Sequence, residues 1–98
     1  MIDSITVSTN QLHSYGVTAL KSIGMSEQNA NIVADKLVLT DSWGTFTHGN
    51  KLLNDYLARL EAGGTNPIGQ PKVINEGPAW AIVDGDNAKG QIGCNYAM

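Results

Sequence analysis

Cysteine occurs once, as Cys94, so no internal disulfide is available and nothing calls for an oxidising compartment. The bland reading of that thiol is a small buried apolar residue. No stretch approaches the roughly 18 consecutive apolar residues that a membrane-spanning helix needs. The opening MIDSITVSTN has no cationic stretch followed by an apolar run, which sets the expectation of a soluble, cytoplasmic protein without membrane contact. Excess positive charge is also missing. Six Lys and Arg face nine Asp and Glu, for a net charge of -3, and the basic residues are scattered, which argues against a nucleic-acid partner. His and Cys are too few and too far apart to suggest a metal site, so none is expected. Apolar residues at 42 % and charged residues at 15 % over 98 positions describe one ordinary globular unit with a modest core.

The helical signals come first along the chain. Ile2 to Val7 alternates weakly and reads as a short strand or an extended lead-in. Ser8 or Thr9 caps a helix carrying Leu12, Tyr15, Ala19, Leu20 and Ile23, closed by Gly24. Ser26 opens a second helix whose stripe Ala30, Val33, Ala34, Leu37 and Val38 continues onto Asp41, and Gly44 ends it. Asp41 is then either a buried carboxylate accepting hydrogen bonds from the next turn or an exposed last-turn residue. A third helix runs from about Asn50 to Ala62, with Leu53, Tyr56, Leu57 and Leu60 inward, Lys51, Asp55 and Arg59 outward, and Gly63 and Gly64 behind it. His13, on the first helix among polar neighbours, is expected at the surface.

Composition shifts after Asn66. Pro67, Gly69 and Pro71 read as a linker, followed by strands Lys72 to Asn75 and Ala79 to Asp84 around a Glu76-Gly77-Pro78 reversal. The apolar run Ala79 to Val83 suggests a strand covered on both faces. A last helix, capped by Asp86 or Asn87, runs to Met98 without a stop signal. The expected architecture is α/β, more strictly an α+β fragment: three helices, a hairpin and a further helix. The expected division is 1–66, a helical segment, and 67–98, the start of a mixed-sheet domain, within a longer polypeptide.

GTFTHGNKLL, residues 44–53, holds the chemistry. His48 is a turn residue, a helix cap or a satisfied core imidazole on the structural readings; on the functional one it is a proton-transfer group, for which a pKa of about 6.5 is suited. Thr47 can hydrogen-bond toward a substrate or toward His48. Gly49 lets a ligand approach the backbone, and the start of the third helix aims N–H groups at an anion such as a small carboxylate. GDNAKGQIG, residues 85–93, matches neither phosphate-binding glycine pattern and reads as a structural turn.

Taken together, D-x-x-G at Asp41 to Gly44, the Thr47-His48-Gly49 triplet, Tyr56, the G-G-x-N-P run at Gly63 to Pro67 and AWAIVDGDNAKGQ at residues 79–91 resemble the N-terminal segment of the type 2 malate/L-lactate dehydrogenase family. That group includes ureidoglycolate dehydrogenase and piperideine-2-carboxylate reductase. The resemblance implies an oxidoreductase using NAD or NADP on a fold that is not a Rossmann fold, dimeric in its full-length form, acting on a small carboxylate substrate such as a 2-hydroxy acid, a 2-oxo acid or a cyclic imino acid. It implies catalytic roles for Thr47 and His48 in a proton relay, with Lys51, Tyr56 and Gly49 toward the substrate. Two positions depart from the family pattern. Leu52 and Trp43 stand where members commonly carry arginines, and Lys51 is the nearby cation that offers compensation for a lost bidentate contact. The competing expectation is a non-catalytic helical domain for dimerisation or partner binding.

Overall fold

The computed structural model describes residues 8–98; the lead-in expected at Ile2 to Val7 lies outside them. In order, the chain forms α1 (Thr9–Lys21), α2 (Glu27–Ser42), two 3-10 turns (Phe46–His48 and Asn50–Leu52), α3 (Leu53–Glu61), β1 (Lys72–Gly77), β2 (Trp80–Asp84) and α4 (Gly90–Ala97). Four helices and a two-stranded antiparallel sheet make the α/β class expected.

Each of the first three helices stops by the same device. Gly24, Gly44 and Gly63 take left-handed φ values of 102°, 82° and 84°, which a side chain disfavours. The next residue's N–H then turns back onto the helix: Met25 donates to Leu20 O, Thr45 to Thr40 O and Gly64 to Arg59 O. The starts are equally local, with Ser8 accepting from the Gln11 N–H and Ser26 from the Asn29 N–H. Packing follows from the stripes. Leu20 of α1 meets Ala30, Val33 and Leu37 of α2, with Leu53 and Leu60 of α3 and Ile92 of α4 completing the core. Burying each large aliphatic side chain stabilises by about 1.5–3 kcal/mol, so this cluster is what holds α3 and the turn before it in place.

Tyr15 is a correction: it is exposed, because α1 buries Gly16 and Leu20 and turns the phenol away. His13 is half-buried rather than at the surface, its Nε2 2.7 Å from Asp35 Oδ1 at ion-pair distance but off a hydrogen-bonding direction. Lys51, Asp55 and Arg59, spaced four apart on α3 and the turn before it, form no ion pairs with one another; the ion pairs among the described residues are His13–Asp35 and Lys21–Glu27.

The hairpin is longer and more open than expected. β1 continues through Glu76 and Gly77, and the reversal is Pro78-Ala79, with Gly77 paired to Trp80. Register slips between Val73 and Asn75, a bulge that leaves Ile74 without a partner. The strand expected to be covered on both faces is not: Trp80 and Ile82 are about half exposed, at 53 % and 50 %, because α4 is the main helical contact of β2.

The start of α4 also corrects the expected cap. Asp86 and Asn87 sit at φ 54° and 53°, in a tight turn closed by Ala88 N–H to Gly85 O at 3.0 Å, and the helix begins four residues after Asp86. Asp and Asn favour helix starts and left-handed turns alike, and here tertiary bonds select the turn. Asn66 N–H donates to Asn87 O at 2.7 Å, Asn87 Nδ2 to Gly64 O at 3.2 Å, and Gln70 N–H to Asp86 Oδ2 at 3.0 Å. Cys94, expected to be buried, is exposed, since Ile92 is the residue α4 buries.

Candidate functional site

Asp41 decides the geometry of the Thr47-His48 turn. It sits at the end of the α2 stripe, part-buried, and of its two expected states it adopts the hydrogen-bonded one. Its Oδ2 accepts from the Asn50 backbone N–H at 3.0 Å and from Asn50 Nδ2 at 2.9 Å. The Asn50 N–H ahead of α3 is therefore already claimed by an anion of the chain itself. Gly49 is buried against the same carboxylate: a Cβ there would overlap Asp41 Oδ1 and Cγ. The space that suggested access for a ligand is filled from within, so the glycine requirement is one of packing. Asn50 Oδ1, buried beside these groups, has no hydrogen-bond partner.

Between α2 and this clamp the chain makes one 3-10 turn, Phe46–His48, with His48 N–H donating to Thr45 O at 3.1 Å. Thr47 and His48 are both exposed. Of the two directions open to the Thr47 hydroxyl, the one observed is toward the imidazole: Oγ1 lies 2.9 Å from His48 Nδ1. In the neutral ring the hydroxyl donates to Nδ1 and the proton resides on Nε2, or Nδ1–H donates to the hydroxyl; in the cation Nδ1–H donates. In each case Nδ1 is engaged and Nε2 is the nitrogen presented for exchange with a substrate. Trp43, three residues before the turn, and Phe46, its first residue, leave aromatic surface uncovered at 71 % and 66 % exposure.

The other expected site residues fall in two places. Lys51 is exposed in the second 3-10 turn, close in sequence to His48. Tyr56 is half-buried and committed to α4: its hydroxyl accepts from Gln91 Nε2 at 3.1 Å, and the Lys89 ammonium sits 3.7 Å from its ring centroid. Lys89 is the residue that sequence reasoning missed; a lone lysine inside a glycine-rich turn carries no pattern that marks it as buried. A groove of about 410 Å³ lies elsewhere, between α1 and α2, lined by His13, Asp35, Val38 and Ser42 among others.

Burial, and next the nearby Arg59 charge, hold the Lys89 pKa below its ordinary 10.5. The folded state therefore binds this proton less well than the unfolded state does, and stability from Lys89 rises with pH between the lowered value and 10.5. Urea unfolding of wild type and Lys89→Met at about pH 7 and about pH 10 checks this. The wild type gains on the variant at the higher pH; a gap independent of pH contradicts it.

The described residues contain no cluster of three or more His, Cys, Asp or Glu able to hold a metal ion, and no helix long and apolar enough to cross a membrane. In the turn between β2 and α4 the Asp86 N–H is taken by Asp84 Oδ1 and the Ala88 N–H by Gly85 O, with two carboxylates alongside, which is unsuited to phosphate.

Comparison with known proteins identifies the arrangement. Residues 7–98 match the profile of the family described as malate/L-lactate dehydrogenase. The chain belongs to the malate/L-lactate dehydrogenase family. It is 40 % identical over 88 residues to a malate dehydrogenase of Pyrococcus horikoshii, a match covering 90 % of this chain and 24 % of that protein. The solved structure of the Pyrococcus horikoshii enzyme superposes with a TM-score of 0.90, over 98 % of this chain and 28 % of the other, at 37 % identity. The L-sulfolactate dehydrogenase of Methanocaldococcus jannaschii is 37 % identical over 82 residues, 84 % of this chain and 24 % of that protein, and its structure gives a TM-score of 0.91. The ureidoglycolate dehydrogenase (NAD(+)) of Escherichia coli is 33 % identical over 92 residues, 94 % of this chain and 26 % of its own length. This member of the malate/L-lactate dehydrogenase family thus spans about a quarter of the length of the curated relatives it matches.

Proposed function

We propose that the chain acts as the N-terminal part of an NAD- or NADP-dependent oxidoreductase that interconverts a small 2-hydroxy acid and its 2-oxo acid, or a cyclic amino acid and its imine, in a cytoplasmic homodimer. The observation that carries this reading is the exposed Thr47–His48 pair, bonded at 2.9 Å, in a chain whose family relatives are named as dehydrogenases. Residues 1–66 supply the relay turn and residues 67–98 open the mixed-sheet domain.

In this reading a nicotinamide, when bound, would supply hydride transfer at the substrate's C2. The chain's own residues handle the proton. When a hydroxy acid is oxidised, the proton leaves the substrate hydroxyl for His48 Nε2, while Thr47 accepts from Nδ1–H of the resulting imidazolium; reduction runs the transfer in reverse. Lys51 attracts the substrate carboxylate in a position where Leu52 offers no charge, and Tyr56 lines the substrate side of α3. Gly49 keeps the backbone tight against Asp41 so that the turn holds its shape.

The test is turnover of NADH or NADPH with 2-oxo acids and cyclic imines. The 98-residue chain alone is inactive, and a polypeptide that extends it to the relatives' length is active. Turnover by the short chain alone contradicts the partial-enzyme reading. The uncovered apolar residues of the hairpin, Ile74, Trp80 and Ile82, favour a second reading, a non-catalytic domain for dimerisation or partner binding, which an inactive extended polypeptide would support.

A further inference from the structure

Residues 42–50, SWGTFTHGN, carry no Asp, Glu, Lys or Arg. They form one lobe, closed at its base by the Asp41–Asn50 bonds and wound tight above it by Gly44 N–H to Asp41 O at 2.9 Å and His48 N–H to Thr45 O at 3.1 Å. Every residue from Ser42 to His48 is exposed. Phe46 lies three residues from Trp43 and two from His48, spans of at most roughly 11 and 7 Å between Cα atoms, so the two aromatic rings and the imidazole share one small surface. Leu39, one helical turn before Trp43 and 44 % exposed, extends the apolar part of that surface.

Positive charge enters from one side only. Lys51 directly follows the lobe, is exposed, and takes part in neither ion pair found among the described residues, His13–Asp35 and Lys21–Glu27. The Asp41 carboxylate is already engaged by Asn50. An ammonium so placed can receive one carboxylate through charge-assisted hydrogen bonds. A second carboxylate on the same ligand would find no further cation in the lobe and would lie against aromatic faces, which present the negative side of the ring quadrupole. An aromatic substituent in its place loses its hydration shell against Trp43 and Phe46, which is favourable, and gains further from offset or edge-on stacking.

We infer that the Thr47–His48 site selects a 2-hydroxy or 2-oxo acid with one carboxylate and an aromatic side chain, the carboxylate drawn to Lys51 and the side chain lying on Trp43 and Phe46. This selection rests on the substrate site proposed above and narrows it, with Trp43 and Phe46 as the residues that set specificity.

The test is a titration of the 98-residue chain with phenyllactate, lactate and malate, each at constant ionic strength, following the backbone amide signals of Trp43, His48 and Lys51. Phenyllactate is expected to give saturable shifts, with an affinity at least about fivefold above that of lactate and of malate. Trp43→Ala and Phe46→Ala, both at exposed positions, are expected to bring phenyllactate down toward lactate and to leave lactate unchanged. Lys51→Met is expected to weaken both ligands, and Lys36→Met to change neither. Malate binding as tightly as phenyllactate, no saturable shift with phenyllactate, or a phenyllactate affinity untouched by Trp43→Ala and Phe46→Ala overturns the inference. Binding needs no turnover, so the two proposals fail separately. An inactive polypeptide of the relatives' length removes the oxidoreductase and leaves this preference; an active one, with malate bound more tightly than phenyllactate here, removes the preference and leaves the oxidoreductase.

Discussion

Replacing Gly49 with alanine lowers stability by about 3 kcal/mol, the sum of overpacking and of weakened hydrogen bonds to a charged group. The new methyl overlaps the Asp41 carboxylate, and relief requires that carboxylate to leave both the Asn50 N–H and Asn50 Nδ2. For a domain of this size about 1 kcal/mol moves the unfolding midpoint by roughly 4–8 °C, so a fall of more than about 10 °C is expected by thermal unfolding. Gly44→Ala is the control. It also sits one turn from the site, but a Cβ there meets nothing within 4 Å and its penalty is the left-handed backbone at φ 82°, about 1–2 kcal/mol. Equal losses in the two variants would mean that the Asp41 clamp contributes nothing specific.

His48→Ala, in the enzyme of the relatives' length, is expected to lower kcat by about 10²–10⁴-fold, the usual contribution of a positioned general acid–base group. Stability is expected to change little, because the ring is exposed and its side-chain hydrogen bond is to Thr47. Thr47→Val keeps the shape and removes the hydroxyl, leaving Nδ1 without its partner; a smaller loss in kcat, about tenfold, follows from a mis-set tautomer. Circular dichroism of both variants separates lost chemistry from lost fold, and a His48→Ala enzyme with unchanged kcat would remove His48 from the mechanism.

What could be read in advance tracks how local the determinants are. The first three helices were legible because caps at Ser8 and Ser26 and stops at Gly24, Gly44 and Gly63 act within a few residues of themselves. Asp41 was legible as one of two states, since a carboxylate on an apolar stripe must find donors or face water; only the structure shows that Asn50 supplies them. Tyr15 and Cys94 were misjudged for a different reason. Helical spacing gives a period, but which residues at its margin are covered depends on neighbours such as α2 and α4, whose placement is tertiary. The same holds for the apolar run of β2: its residue types suit a covered strand, but within this chain it pairs with β1 alone.

Around the candidate site the outcome is mixed for the same reason. The adjacent pair Thr47 and His48 meets through a local turn, and a one-residue separation suffices to suggest the contact. Gly49 was noted as a place of close approach, yet the group that approaches is Asp41, nine residues from Asn50 in the bond that fixes it. Tyr56 and Lys89, 33 positions apart in the sequence, are brought together, and no periodicity announces that meeting.

The most direct measurement on the central claim is chemical rescue. Free imidazole added to the His48→Ala enzyme is expected to restore part of the lost turnover in a saturable way, while leaving the wild type unaffected, because the missing function is a proton transfer that a diffusible base can perform. Lost turnover that imidazole does not restore at any concentration, in a variant that still binds substrate and cofactor normally, would contradict the assignment of that transfer to His48.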